Sequence, residues 1–273
     1  MSKNISDILK RFGLFSFILF LSSIHCSAWA ENIEKKSYTI ATWNIGHFSK
    51  GEKTCSTINS STYRANYDEL KKVLEDSINA DVLCLNEYSE IFFSDRNKKD
   101  QITKDLFFGD YDYSEIGPLL GYSCNSIFSR LKLKRVKQRK FEISKTIAEK
   151  MPRAENYYYL ESDLYIGNIK IKLVCAHTTS SANAVSQSQI SELLNRYRDE
   201  ERVIMCGDWN TQDFSLFKNG GYTIGNNGSL KTFPVKAYAL DNIVVKGLVI
   251  SDVRIVRTNL SDHYPLVCRV SLK

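Results

Sequence analysis

Several apolar runs in this chain stop on a polar side chain that can do chemistry. Asn44 ends the run from Tyr38 to Trp43, Glu87 ends the one that begins at Val82, and His177 follows Ile166 to Ala176. Asp208 and Asn210 follow Val203-Ile204-Met205-Cys206-Gly207; Asp241 precedes Ile243-Val244-Val245, and Asp262-His263 precedes the last run, Tyr264 to Leu272. Packing alone does not explain apolar runs that repeatedly meet ionisable groups. Gathered at one sheet edge, these residues would form a pocket of four carboxylates, two histidines and two amides. Hard oxygen ligands without sulfur suit Mg²⁺ or a similar cation better than zinc. An acid-rich pocket that handles phosphate needs such a cation to offset repulsion by its substrate. Imidazoles beside carboxylates can give or take a proton near neutrality. Singly, an Asp or Asn at a strand end is more often a turn or a helix cap. The combination carries the reading.

Placing these groups together requires strands that share an edge. Asp208 and Asn210 lie two apart, so in extended geometry both point the same way, and Gly207 would let the backbone turn where it leaves the sheet. Between Asn44 and Glu87, the residues Tyr67, Leu70, Val73, Leu74 and Ile78 recur at helical spacing. Parallel pairing of the strands on either side of that helix would bring Asn44 and Glu87 to one end. Residues 88–121 read as loop with a short helix over Lys99–Phe107, and Tyr122 to Arg130 resumes strand character. Residues 157–160 and 166–176 read as a hairpin turning at Gly167-Asn168, 182–197 as an amphipathic helix, and 211–233 as Gly- and Asn-rich loop. Leu131 to Lys140 interleaves Lys and Arg with Leu131, Leu133 and Val136. Its lysines would guard a sheet edge or, on a sharper reading, steer a phosphate backbone.

Of the 273 residues, 43% are hydrophobic and 25% charged, ordinary globular proportions that favour one large domain. Lys3, Lys10 and Arg11 precede an apolar run from Phe12 to Leu21, and Ala28-Trp29-Ala30 offers a small-x-small cleavage site. That is the layout of a secretory signal peptide over 1–30. The run is shorter than the roughly 20 apolar residues of a membrane anchor. The expectation is therefore a secreted or periplasmic domain over 31–273, monomeric and without a transmembrane anchor after cleavage. The net charge of +6 is mildly basic, enough to welcome a polyanion. Cys84, Cys175, Cys206 and Cys268 lie in strand-like runs and read as small hydrophobes; Cys55 and Cys124 fall in loop-like sequence and are the candidates for oxidation.

Thr42-Trp43-Asn44, Leu85-Asn86-Glu87, Gly207-Asp208-Trp209-Asn210, Leu240-Asp241 and Ser261-Asp262-His263 together resemble the motifs of the endonuclease/exonuclease/phosphatase superfamily, in that family's order. The resemblance spans about residues 38–272. It implies the deoxyribonuclease I-like fold: an α+β, four-layer α/β/β/α sandwich of two mixed sheets packed face to face with helices outside. It also implies roles. Glu87 matches the metal-binding glutamate and Asn44 the amide that supports metal and phosphate, with Asp262 a further metal-side acid. Asp208 matches the group that orients or deprotonates the attacking water, and Asn210 the amide beside it. His263 matches the histidine on the scissile phosphate, Asp241 its orienting carboxylate, and His177 the histidine that protonates the leaving oxygen. Tyr122, Asn125 and Arg153 fall where the family binds phosphate. The implied cofactor is Mg²⁺, with Mn²⁺ or Ca²⁺ as alternatives.

Fold does not fix substrate. The context of His177 and the ending Ser-Asp-His-Tyr-Pro resemble secreted deoxyribonucleases and the catalytic subunit of cytolethal distending toxins, which implies a nucleic acid substrate. A phospholipid or inositol phosphate substrate, as in sphingomyelinase-like relatives, is the alternative; no apolar hairpin suited to membrane insertion is evident in the sequence. A catalytically inactive binding module is the third reading, opposed by the nearly complete set of acids and histidines.

Overall fold

Strand β1 (Tyr38–Asn44) shows how the layers arise. Ile40 faces one way and packs with Val82, Cys84, Cys175 and Cys206. Ala41 and Trp43 face the other way and pack with Leu70, Leu74 and Ile78. Period-two alternation with both sets apolar marks a strand buried on both faces. β2 (Val82–Tyr88) repeats the pattern, sending Val82 and Cys84 to the inner layer and Leu83 and Leu85 to the outer. The computed structural model describes residues 37–46, 68–88, 113–116, 124–142, 158–180 and 182–273. The expected signal peptide, Cys55, the short helix over Lys99–Phe107, Tyr122 and Arg153 lie outside them.

The remaining strands are β3 (Tyr113–Ile116), β4 (Cys124–Ser129), β5 (Lys132–Lys140), β6 (Tyr158–Ile166), β7 (Ile169–His177), β8 (Val203–Asp208), β9 (Thr223–Ile224), β10 (Asp241–Lys246), β11 (Leu248–Ile255) and β12 (Leu266–Leu272). One sheet has the order β11-β12-β1-β2-β4-β3 and the other β5-β6-β7-β8-β10-β9. Each is mixed: β1 and β2 pair in parallel, as do β7 and β8, while the other neighbours are antiparallel. The sheets share an apolar interior that includes Ile40, Val82 and Cys268 from the first and Leu173, Ile204 and Val245 from the second.

A helix over 68–78 (α1), widened to π-type turns at Val73–Ile78, covers the outer face of the first sheet. Helix α2 (Asn183–Arg196) presses Ile190 and Leu193 onto Val174, Ala176, Val203 and Met205 of the second. The result is the expected four-layer α/β/β/α sandwich. Cys84, Cys175, Cys206 and Cys268 are buried free thiols, as small hydrophobes would be. None of the described helices is long and apolar enough to cross a membrane.

Several local expectations are corrected. The first arm of the hairpin runs on to Ile166 rather than stopping at 160, because Glu161, Ser162 and Asp163 continue the strand with their side chains buried. The expected loop over 211–233 contains a short helix α3 (Ser215–Asn219), anchored by Phe217, and β9. β3 lies within the expected loop 88–121, and β11 was not anticipated at all. Among the described strands, basic β5 lies at the edge of its sheet and pairs with β6.

Candidate active site

The two parallel pairs deliver chemistry to one edge of the sandwich. Asn44 lies opposite Asn86 in the β1–β2 register, so Glu87 comes one residue beyond it. His177 lies opposite Asp208, and Asp208 opposite Asp241. Glu87 has a left-handed φ of 51°, at a register irregularity between Leu85 and Tyr88. A bulge of this kind re-aims a side chain at a cost in backbone strain. Gly207 is required by proximity: a Cβ there would lie 1.7 Å from the Ala176 carbonyl oxygen of β7. It therefore keeps β7 and β8 in register rather than turning the chain out of the sheet.

Asp208 Oδ2 is the hub. The Asn44 amide nitrogen donates to it at 3.0 Å, His177 Nε2 lies 3.5 Å away and His263 Nε2 3.7 Å. The same Asn44 nitrogen donates to Glu87 Oε1 at 3.0 Å, while Asn44 Oδ1 accepts from the Gly46 amide. His177 Nε2 lies 3.9 Å from Glu87 Oε1. Asn210 takes a left-handed φ of 46°, which Asn tolerates well, and its backbone N–H donates to Asp208 Oδ1 at 2.9 Å. Its side chain donates to the Thr178 carbonyl at 2.7 Å.

His263 is held from several directions. Its Nδ1 meets Asp241 Oδ2 at 2.8 Å, and Phe233 packs on its ring at 4.8 Å between centroids. Ser261 Oγ donates to the Asn44 carbonyl at 2.7 Å and accepts from the His263 amide at 3.1 Å. The Trp43 indole donates to the His263 carbonyl. Together these bonds tie the β11–β12 connection to the end of β1. Asp262 sits beside the same turn, its Oδ1 3.3 Å from Ser261 Oγ.

Burial and charge set the protonation states. Burial alone would lower the His263 pKa, but Asp241 and Asp208 outweigh it and push it up to about 10. Burial raises Asp241, and the negative Asp208 adds to that despite the pull of His263. Burial would also raise Asp208; the charges of His263 and His177, with hydrogen bonds from Asn44 and Asn210, hold it below the usual carboxylate range. The hub is thus an anion between imidazoles, and His263 is an imidazolium at neutral pH.

Ligand atoms of Asp208, Asp241 and His263 lie within 4.8 Å of one another, a buried group that could bring two carboxylates and an imidazole to one cation. More exposed oxygen donors lie alongside. Glu87 is 30% exposed and carries hard oxygens, and the Asn44 amide and Asp262 stand close by. Oxygen donors of this kind suit a hard divalent cation.

Asn44, Glu87, His177, Asp208, Asn210, Asp241, Asp262 and His263 therefore assemble at one place. Asn125 lies just beneath, its amide accepting from Asn86 at 2.7 Å and donating to the Tyr158 carbonyl at 2.9 Å. Sequence reasoning missed Asn86. Fully buried, it donates to the Ala176 carbonyl at 3.1 Å and accepts from the Asp208 amide at 2.9 Å, joining the two sheets under the site. The signal was an amide inside an otherwise apolar run. Thr232, also missed, accepts from the Leu240 and Asp241 amides; nothing in its loop sequence marks it.

This arrangement is that of a phosphoester-hydrolase pocket, and the sequence comparison agrees. The profile of the Endonuclease/Exonuclease/phosphatase family matches residues 41–263. The chain belongs to that family, whose members are metal-dependent phosphoester hydrolases. No curated protein sequence matches it. Solved structures share the fold. An endonuclease/exonuclease/phosphatase from Bacteroides vulgatus is 12% identical with a TM-score of 0.63, covering 88% of this chain and 100% of that one. D. rerio TDP2 complexed with a single-strand DNA product is 15% identical with a TM-score of 0.60, covering 87% and 100%. Truncated Caenorhabditis elegans TDP2 is 14% identical with a TM-score of 0.59, covering 88% and 99%.

Proposed function

We propose that the chain is an exported Mg²⁺-dependent phosphodiesterase that hydrolyses DNA by in-line attack of water. On this reading residues 1–30 are a cleaved signal peptide, and residues 31–273 act as a secreted or periplasmic monomer. The observation that carries the proposal is the Asp208 hub: one buried carboxylate oxygen facing Asn44, His177 and His263, with Glu87 alongside. That D. rerio TDP2 of the same fold holds a single-strand DNA product supports nucleic acid as the substrate class.

Each side chain has a task. Asp208, held anionic, accepts a hydrogen bond from the attacking water and orients it toward phosphorus. Asn210 limits where that water can sit. The His263 imidazolium lies against the nonbridging oxygens, where charge develops, and Asp241 fixes its ring through Nδ1. His177 Nε2 delivers a proton to the leaving oxygen. By the family resemblance Tyr122, Asn125 and Arg153 would add phosphate contacts. Glu87, Asn44 and Asp262 would hold the cation, Mg²⁺ or alternatively Mn²⁺ or Ca²⁺, which would offset charge on the phosphoryl oxygens.

A phospholipid-directed reading has one observation in its favour. On the turn that packs Phe233 against His263, Val235 is 73% exposed and Tyr238 40%. The test treats both readings. Mature protein is incubated with supercoiled plasmid and with sphingomyelin vesicles, in Mg²⁺ or EDTA, beside His177→Ala and His263→Ala. Plasmid nicking that needs Mg²⁺ and both histidines is expected. Plasmid intact in every lane defeats the nuclease reading, and Mg²⁺-dependent lipid cleavage replaces it. Turnover of neither substrate favours an inactive binding module.

A further inference from the structure

The basic β5 strand has a use beyond guarding an edge. Bonding between β5 and β6 slips between Lys134 and Lys137, where Arg135 takes a left-handed φ of 54°. That bulge turns the Arg135 guanidinium toward Asp163, 3.7 Å away. Lys137 lies opposite Glu161, and Lys172 opposite Asp163 on the other side of β6. Glu161 and Asp163 share the outer face of β6 and are only 5% and 1% exposed. Glu161 accepts from Arg139 at 2.9 Å and from the Tyr197 hydroxyl; Asp163 accepts from Lys172. Burial works to raise Glu161, but the bonds from Arg139 and Tyr197 hold its pKa below the usual value, so it stays an anion and fixes Arg139 in place.

A cleft of about 280 Å³ opens over these two acids, walled by Lys170 of β7 and Arg196 at the end of α2. Its lining carries six cations against three carboxylates, the third being Glu200, which pairs with Lys170 at 3.2 Å. Edge protection accounts for lysines on β5. It does not account for Lys170 and Lys172 on an interior strand, nor for Arg196 on a helix. Asp163, Glu161 and Glu200 already pair with Arg135, Lys172, Arg139 and Lys170, and with six cations against three carboxylates the lining keeps a surplus of positive charge that a further anion would offset.

We propose that this cleft binds a phosphate-bearing anion at a site separate from the catalytic centre. Lys172 precedes His177 by five residues on β7, which is about 17 Å along a strand. Buried carboxylates that orient Arg139 and Lys172 make a prearranged floor, while Arg135, Lys137 and Arg196 form an exposed rim. Planar guanidinium forks beside ammonium point charges suit tetrahedral phosphate. The volume lies at the small end of the ~300–1,000 Å³ of drug-sized ligand pockets, so the occupant is on the scale of one or two phosphate groups. Either a free small phosphate or a short stretch of strand backbone presents that chemistry.

The test compares the wild-type chain with the double variant Lys137→Glu/Arg196→Glu. Both side chains are exposed, so the fold is retained; circular dichroism and the Tm check it. Binding of pyrophosphate by calorimetry and of labelled oligothymidylate by anisotropy is measured in EDTA, which removes any dependence on DNA cleavage. The expected result is a loss of at least about tenfold per removed contact, with hydrolysis of bis(p-nitrophenyl) phosphate in Mg²⁺ unchanged. Loss of pyrophosphate binding assigns the site to a free anion. Loss confined to oligothymidylate assigns it to a strand backbone, and the slope of log K against log salt then falls by about 0.7 per contact. Wild-type protein that binds neither probe, or a double variant that binds both as tightly, overturns the proposal.

Discussion

Replacing Asp241 by Asn keeps the shape of the site and removes one charge from the 2.8 Å contact with His263 Nδ1. The rise of His263 from 6.5 to about 10 corresponds to roughly 5 kcal/mol of preference for the imidazolium in the folded protein. The folded value lies above the unfolded one. The stabilisation is therefore complete below about pH 6.5 and is lost as pH rises through about 10. Across that window this group lowers the unfolding free energy by about 1.4 kcal/mol per pH unit. In Asp241→Asn the anions left to oppose burial are Asp208 and, more weakly, Asp262, so His263 titrates lower and this slope shrinks. The net loss at neutral pH is smaller than 5 kcal/mol, since the variant also sheds the cost of burying Asp241, whose own pKa burial raises. Urea unfolding in EDTA at several pH values between about 7 and 9, with NMR of the histidine ring protons, measures both quantities. A variant with the wild-type slope, or with an unmoved His263 titration, would refute the reasoning. Turnover is expected to drop by about 10²–10⁴-fold.

Other substitutions probe the supports. Asn86→Leu strands the Asp208 amide and the Ala176 carbonyl, at about 2–4 kcal/mol in urea unfolding; unchanged stability would mean the inter-sheet bonds are unimportant. Gly207→Ala drives a Cβ against the Ala176 carbonyl oxygen and should cost about 3 kcal/mol or more, read as a fall in Tm; a Tm within error of wild type contradicts the close approach. Glu87→Gln should raise the Mg²⁺ concentration needed for half-maximal phosphodiester hydrolysis by about tenfold or more, while leaving the fold intact by circular dichroism. An unchanged Mg²⁺ curve would place the cation elsewhere.

The sandwich was legible because β1, β2, β8 and the second half of β7 (Leu173 to Ala176) are apolar or small on both faces and each runs directly into a polar group. The helix over 183–196 was legible for the same kind of reason, a periodic apolar face. What escaped was polar material in buried places. Glu161 and Asp163 look like loop residues until Arg139, Tyr197 and Lys172 are seen to satisfy them. β11 escaped because its outer residues are polar or exposed, and its pairing partner β12 lies on the far side of a loop. At the site, residue types and order gave away the hub and its histidines. Asn86 and Thr232 did not stand out, because their importance lies in which backbone groups they satisfy, and that depends on chain segments remote in sequence.

The pocket is assembled across a seam. Asn44 and Glu87 belong to one sheet, His177, Asp208 and Asp241 to the other, and Asn44 and Asn86 stitch them through Asp208. The spacing of the catalytic groups is therefore set by the thickness of the apolar filling between the sheets, where Cys84, Cys175, Cys206 and Ile204 lie. A methyl group added or removed in that filling acts as a shim: it changes the gap at the mouth by acting beneath the site, where Cys175 touches Asn86. The interior of this protein is a calibrating layer as much as a stabilising one, and its residues are free to vary only as far as the mouth keeps its width.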